Sequence, residues 1–205
     1  MRVLVACEFS GVVRDAFIAR GHDAMSCDIL PTDKPGPHYQ GDVFDVLNDG
    51  WDLMIAHPPC TYLSNSGVCH LHKSTDRRPK LFDGAAFFKR LLDADIRRIA
   101  VENPIMHKYG KQLIGGVRQS QVIQPWMFGH SESKKTGLWL HNLKPLEATD
   151  TLQIPERGYW DNQTPSGQNK LAPSSDRAKL RSETYAGIAS AMADQWGTPP
   201  TEDKK

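Results

Sequence analysis

The chain has 205 residues, 39% of them hydrophobic and 24% charged, with a mean hydropathy of −0.50. That suffices for one substantial core and a small insert. It excludes a membrane-spanning architecture, since no apolar run approaches the ~20 residues a spanning helix needs. Lysine and arginine number 25 against 24 acidic residues, a net charge of +1, so any nucleic-acid footprint has to be local. A strand-like run begins at Arg2, so no signal peptide is expected, and the chain is expected in the cytoplasm of a bacterial or phage-infected cell. The four cysteines are too few for a disulfide framework and read as thiols.

Arg2–Ala6 reads as a buried strand, followed by a turn at Phe9-Ser10-Gly11 and a helical stretch over Val12–Arg20 that Gly21 stops. Asp23–Cys27 reads as a second strand ending at Asp28, and the prolines at 31, 35 and 37 make a loop. Asp52–Ala56 is a third buried strand, closed by Pro58-Pro59. Leu81–Leu92 is an amphipathic helix, Arg98–Val101 a strand ending in Glu102, and Gln121–Ile123 and Leu138–Leu140 are weaker strands. Between Lys144 and Ser182 stand Pro145, Pro155, Pro165 and Pro173, which leave room only for an irregular insert. Glu183–Trp196 is helical, with Ile188, Ala189, Met192 and Trp196 on one face; Trp126, Trp139 and Trp196 read as core. The alternation predicts an α/β layer architecture around a mostly parallel sheet.

In such sheets ligands bind outside the carboxyl ends of the strands. Glu8-Phe9-Ser10-Gly11, Asp28, Gly41-Asp42, His57-Pro58-Pro59-Cys60 and Glu102-Asn103-Pro104 all fall there. Singly, each acid reads as a turn or cap and the cysteine as a small buried hydrophobe. Their joint placement on one edge is the informative feature.

Pro58-Pro59-Cys60 followed by Ser64, Ser66 and Gly67 resembles the catalytic loop of DNA cytosine-5 methyltransferases. Phe9-Ser10-Gly11 resembles that family's cofactor turn, Glu102-Asn103-Pro104 its Glu-Asn-Val motif, and Tyr185–Trp196, more weakly, its closing motif. The order also fits, over about Arg2–Leu140. The resemblance implies a Rossmann-like, S-adenosylmethionine-dependent methyltransferase fold in a single domain. Residues 1–145 with 182–197 would form its catalytic part, 146–181 an irregular insert and 198–205 a disordered tail.

The resemblance also implies roles. Cys60 is the nucleophile that adds to carbon 6 of cytosine and turns carbon 5 into an enamine. Glu102 assists at ring N3 and the exocyclic amine. Pro59 fixes the turn that presents the thiol, and Asn103 holds the loop by side-chain hydrogen bonds. For S-adenosylmethionine, Phe9 lies against adenine or the sulfonium, Ser10 and Gly11 form the turn, Asp28 accepts the ribose hydroxyls and Asp42 the adenine amine, with Pro58 beside them. Ser64, Ser66, Tyr62, Lys134, Arg77 and Arg78 are the candidate contacts to the substrate.

The chain departs from the family pattern in three places. The space near Glu147–Leu180 is too small for a target-recognition domain, so sequence readout is slight or comes from a partner protein. The Gln-x-Arg-x-Arg stretch is replaced by Glu132-Ser133-Lys134-Lys135-Thr136, and Val12-Val13 follow Gly11 where a further glycine is usual. These features resemble small phage methyltransferase-like proteins. Lys73, Arg77, Arg78 and Lys80, and Lys170, Arg177, Lys179 and Arg181, form basic runs suited to phosphates. His57, Cys60, Cys69, His70 and His72 contain zinc-type ligands but no CxxC pair, so no metal is expected. The expected partner is DNA, single-stranded or weakly sequence-specific. Two alternatives remain: modification of a pyrimidine nucleotide or a non-methylating base modification, and a non-catalytic DNA- or nucleotide-binding module.

Overall fold

A strand buried on both faces needs apolar residues at successive positions, and two runs meet that condition fully. The computed structural model describes residues 1–68, 71, 75–172, 174 and 177–198. In it, β1 (Arg2–Ala6) and β4 (Leu53–Ala56) lie side by side in parallel, with Val3–Ala6 and Leu53–Ala56 all fully buried. β2 (Asp23–Asp28) pairs with the other side of β1, and β3 (His38–Gln40) extends the sheet beyond it. On the far side β4 pairs in parallel with β5 (Ile99–Pro104). β7 (Thr136–His141) runs antiparallel between β5 and β6 (Gln121–Ile123). The order is β3-β2-β1-β4-β5-β7-β6, the mostly parallel, Rossmann-like α/β sheet that was expected.

Side chains alternate across a strand, so the sheet carries two cores. Leu4, Ala6, Met54 and Ala56 face Leu81, Ala85, Phe88 and Leu91 of α4 (Arg77–Leu92). Val3, Val5, Leu53 and Ile55 face Val13 and Phe17 of α1 (Val12–Ile18) and Ile188, Ala189, Met192 and Trp196 of α7 (Ala186–Trp196). The face expected for the last helix is therefore the one it buries.

Several boundaries differ from the sequence reading. β5 does not stop at Val101: Glu102, Asn103 and Pro104 pair antiparallel with Leu138, Gly137 and Thr136. The proline loop contains β3, and Asp42 starts a short helix α2 (Val43–Val46). A helix α3 (Asn65–Val68) follows the cysteine loop, and α4 begins at Arg77 rather than Leu81. Pro79 lies in the first turn of α4, where its missing N–H is not needed. α5 (Lys108–Leu113) follows β5. The insert is irregular through residue 172 but ends in a helix, α6 (Arg177–Ser182), that the sequence reading did not assign. Trp126 is only partly buried; its ring stacks on Trp160 of the insert at 5.9 Å and 3°. The tail from residue 199 lies outside the described residues. Among the described residues, no helix is long and apolar enough to cross a membrane.

One buried charge organises the β1–α1 corner. Arg14 is fully buried. Its guanidinium donates to Ser26 Oγ (3.1 Å), Thr32 Oγ1 (3.2 Å) and the carbonyls of Lys34 (3.2 Å) and Pro35 (3.3 Å), and it pairs with Asp15 (2.8 Å). Gly11 sits in the left-handed region at φ 70°, and a Cβ there would lie 2.4 Å from the guanidinium. Arg14 thus ties the turn after β1 to the loop after β2. Replacing Arg14 by Met is expected to lower the unfolding free energy by about 3 kcal/mol, because the fork's acceptors lose their donor in a buried place. Urea denaturation followed by circular dichroism checks this. Arg14→Lys is expected to recover less than half the loss, since an ammonium cannot span four acceptors.

Candidate active site

The chain leaves β4 at Ala56 and enters His57-Pro58-Pro59-Cys60. Pro58 is buried and Pro59 exposed; with φ fixed at both, the turn that carries Cys60 has little freedom. The Cys60 carbonyl accepts the amides of Leu63 (3.1 Å) and Ser64 (3.0 Å). The loop is then tied to the chain after β5 by a bridge between Ser64 and Met106 and by bonds from His107 N to Leu63 O (2.8 Å) and Asn65 N to Ile105 O (3.3 Å). Backbone pairing, rather than Asn103, holds the loop. The Asn103 amide donates to the carbonyl of Pro104, and its buried Oδ1 has no partner. This corrects the role expected for Asn103.

In the β4–β5 register Ala56 faces Val101, so the next residues on each strand, His57 and Glu102, adjoin. His57 Nδ1 lies 2.9 Å from Glu102 Oε2, with the side chains 9% and 12% exposed. Burial alone would raise the Glu102 carboxyl, but the hydrogen bond and charge of His57, with Lys134 nearby, hold it below the usual carboxylate range. Burial alone would likewise lower His57, but Glu102, reinforced by Glu8, carries it above the ordinary imidazole value. Glu102 is therefore a carboxylate near neutral pH. His57 Nε2 is buried and has no partner.

Cys60 is partly buried. Burial and the Glu102 charge push its thiol up, while Lys134 and Arg181 pull it down. The net shift is upward, so the thiol holds its proton in this state. The other described cysteines are poorer nucleophiles. Cys27 is fully buried and pushed up to about 12 by burial and by Asp28 and Asp42, and Cys7 is raised by burial and the same acids.

The neighbouring edge is acidic. The buried Glu8 carboxylate accepts from Ser10 Oγ (3.2 Å) and from the amides of Val13 (2.7 Å) and Arg14 (3.2 Å). It therefore fills the N-terminus of α1. Ser10 accepts in turn from Val12 N (3.3 Å), so its hydroxyl shapes the turn. Phe9 is partly buried, with the Lys179 ammonium 5.4 Å from its ring centre. Asp28, raised by burial, ends β2 and accepts the amide of Leu30 (2.9 Å). Asp42 is exposed and caps α2 through Phe44 N (3.0 Å).

The candidate substrate contacts divide. Lys134 lies by the Cys60–Glu102–His57 group and donates to the carbonyl of Glu183 (3.2 Å). Ser64 is buried in the loop. Tyr62 packs against the core, with the Arg77 guanidinium 5.1 Å and Lys80 5.9 Å from its ring centre. Its face is thus covered by cations of α4, while Arg78 is exposed beside them. The Ser66 and Arg177 side chains, and Cys69, His70, His72 and Lys73, lie outside the described residues. Among the described residues, no group of three or more His, Cys, Asp or Glu is placed to hold a metal ion.

Sequence reasoning set Glu8 and His57 on the strand-end edge without a task, placed Arg181 in a basic run away from Cys60, and gave Arg14 no role. His57 immediately precedes the proline pair at a strand end, which is a readable signal. Arg14 gave none, because an arginine in an amphipathic helix is ordinarily solvent-facing.

No protein-family model matches the chain, and no curated protein sequence matches it. Among solved structures it is similar to a protein described as a DNA modification methyltransferase encoded within an E. coli prophage. The TM-score is 0.43 at 16% identity, over 68% of this chain and 46% of that one. The Entamoeba histolytica methyltransferase EhMeth gives 0.46 at 14% identity, over 80% and 61%. The S. pombe methyltransferase Dnmt2 gives 0.40 at 13% identity, over 77% and 56%. The chain spans about half the length of these structures.

The Glu102 contact makes the His57 titration predictable in sign. In Glu102→Gln the larger upward influence is gone while burial and Glu8 remain, so the imidazole is expected to titrate at lower pH than in wild type. Proton-detected NMR of the His57 ring across pH 5 to 9 checks the drop.

Proposed function

We propose that the chain transfers a methyl group from S-adenosylmethionine to carbon 5 of cytosine in DNA, through a covalent adduct at Cys60. The observation that carries this reading is a cysteine presented at the end of β4, electrostatically coupled to a buried carboxylate, Glu102, on the adjacent strand. The motif resemblance assigns the same two residues to the same chemistry.

The cofactor edge fits the group. A dinucleotide would place its pyrophosphate on the amides that open α1, but Glu8 already accepts from them. The acids Glu8, Asp28 and Asp42 repel phosphates and favour a ligand bearing a sulfonium and an ammonium. Gly11 and Phe9 would hold its methionine and sulfonium part, Asp28 its ribose and Asp42 its adenine. When bound, it supplies an electrophilic methyl group to a carbon 5 activated as an enamine.

The chain's own residues do the activating. The Cys60 sulfur adds to carbon 6, and the electron pair moves through carbons 5 and 4 to N3. Glu102 accepts from the exocyclic amine and passes a proton to N3 as the pair arrives there, so the ring accepts that pair at lower cost. After carbon 5 is alkylated with the enamine pair, its proton leaves to solvent, the pair of that C–H bond re-forms the double bond between carbons 5 and 6, and Cys60 leaves carbon 6 as a thiolate. Lys134 and Arg181 stabilise the thiolate that must form and leave.

The cations Arg78, Lys134 and Arg181 supply phosphate contacts, with no large reading surface beside them. Flipping a base from duplex costs a few kcal/mol, least for single-stranded or distorted DNA. Single strands are therefore the favoured substrate, with a short or degenerate sequence preference and affinity that falls steeply with salt.

Labelled methyl transfer to matched single- and double-stranded DNA and to dCMP tests the reading. DNA is expected to be labelled, single strands faster. Labelling of dCMP alone would make the substrate a nucleotide, and labelling of none would overturn the reading. DNA containing 5-fluorocytosine is expected to trap the protein at Cys60, since fluorine cannot leave as a proton does. Cys60→Ser is expected to abolish turnover while keeping calorimetric cofactor binding, and Glu102→Gln to cost about 10²–10⁴-fold in rate. Asp42→Ser, which keeps a helix cap, is expected to weaken cofactor binding about tenfold, or about 1.4 kcal/mol.

A further inference from the structure

His57 has no task in the cytosine chemistry so far. It is buried at the end of β4, its Nδ1 is 2.9 Å from Glu102 Oε2, and its Nε2 is buried with no partner among the described residues. A buried polar atom with no partner is costly, and a histidine that served only to pack would not need its ring nitrogen on a carboxylate. Charged groups face it from each neighbouring strand end: Glu8 after β1, Glu102 on β5 and Lys134 ahead of β7. Cys60 stands three residues along its own loop.

The chemistry of the proposed reaction defines what is missing. When sulfur bonds to carbon 6, the displaced electron pair arrives at N3, and N3 must take a proton to remain neutral. Glu102 stands as a carboxylate and has no proton of its own to give. We infer that His57 is the proton store of Glu102: its Nδ1 proton passes to Oε2 as Glu102 protonates N3, and it returns along the same path when Cys60 is expelled. One proton leaves the imidazolium and one arrives at N3, then the reverse, so the pair finishes each turnover as it began. His57 acts through Glu102 and is a positioning residue rather than one that touches the base. This inference rests on the cytosine reading and adds to it the source of the N3 proton.

The sign of the pH dependence follows. His57 must be protonated and Cys60 deprotonated; Glu102 carries His57 above the ordinary imidazole value, and burial with the Glu102 charge carries the thiol up. The rate therefore rises with pH, levels off at the first of the two titrations and falls past the second, and one of the two breaks is the His57 titration.

The experiment measures kcat across pH 5.5 to 9.5 as tritium released from single-stranded DNA carrying [5-³H]cytosine, with saturating S-adenosylmethionine. It uses the full chain, wild type and His57→Asn, with NMR titration of the wild-type His57 ring in the DNA complex. Asparagine can donate to Glu102 but cannot store a proton. Wild type is expected to show one of its breaks at the pH where His57 titrates by NMR. His57→Asn is expected to lose about 10²-fold in kcat at pH 7, to keep KM for DNA within about twofold, and to lose that break.

A wild-type profile with no break at the His57 titration overturns the proposal without any variant being needed. So does a His57→Asn profile that keeps the break, or a kcat within about threefold of wild type. Absence of tritium release and of any Cys60 adduct from wild type overturns the cytosine reading and this proposal together. Normal adduct formation with an unchanged His57→Asn profile overturns the proposal alone.

Discussion

The contact between His57 and Glu102 is the constraint on which the rest of the site depends. An isolated carboxylate as buried as Glu102 would take up a proton. It stays ionised because β4 and β5 pair in parallel with Ala56 opposite Val101, which delivers an imidazole to it from the next position. The register of two central strands therefore sets a protonation state. A slip of one residue would turn Glu102 to the other face of the sheet and leave two unpaired titratable groups. The antiparallel pairing of Glu102 with Leu138 on β7 guards against that slip, since it fixes β5 from its other side.

The same economy governs the cofactor edge. The first turn of α1 offers amides to any anion that arrives, and Glu8 answers them from within the chain. Arg14 then holds the loop after β2 against the turn after β1. Gly11 is needed twice over, once for its positive φ and once because the guanidinium occupies the space of a side chain. The amides that would meet a phosphate in such a fold are thereby already taken.

Strands buried on both faces announce themselves as apolar runs, which is why β1 and β4 were legible to within a residue. β3 was not, because His38–Gln40 is polar, lies at the sheet edge and follows a run of prolines. The extension of β5 through Glu102 to Pro104 was hidden for a related reason. A proline reads as a terminator, yet here it is the last residue of the strand, where a missing N–H is tolerated. In the site, Cys60 and Glu102 could be picked out because strand-end chemistry concentrates in few residues. The task of Asn103 could not, since the loop is held by backbone pairing to residues 105–107, and backbone pairing leaves no mark on side-chain identity. His57 was legible as a residue but not as a partner, because its pairing exists only in the register.

A chain with a net charge of +1 can meet a polyanion only through local groups. Glu8, Asp28 and Asp42 stand at the ends of β1, β2 and β3, on one side of Cys60. Lys134 stands ahead of β7 on the other, and Arg181 comes from α6, whose Lys179 pairs with Asp33 (2.7 Å) on the acidic side; both Lys134 and Arg181 lower the cost of a Cys60 thiolate. In the proposed reaction the first group meets a cationic cofactor and the second a phosphate backbone, and the two partners would carry opposite fields to the same thiol. The DNA would then act on Cys60 in two ways: its phosphates draw charge away from Lys134 and Arg181, while its base excludes water and strengthens whatever field remains. Which effect prevails depends on whether those cations stay on the sulfur or turn to the backbone. Lys134 is the better placed to stay, because its ammonium already donates to the carbonyl of Glu183 and lies 5.7 Å from the Tyr185 ring centre. Arg181, on the exposed last turn of α6, is the one free to follow a phosphate. The helix that the sequence reading passed over is in this way the element that joins the insert to the chemistry.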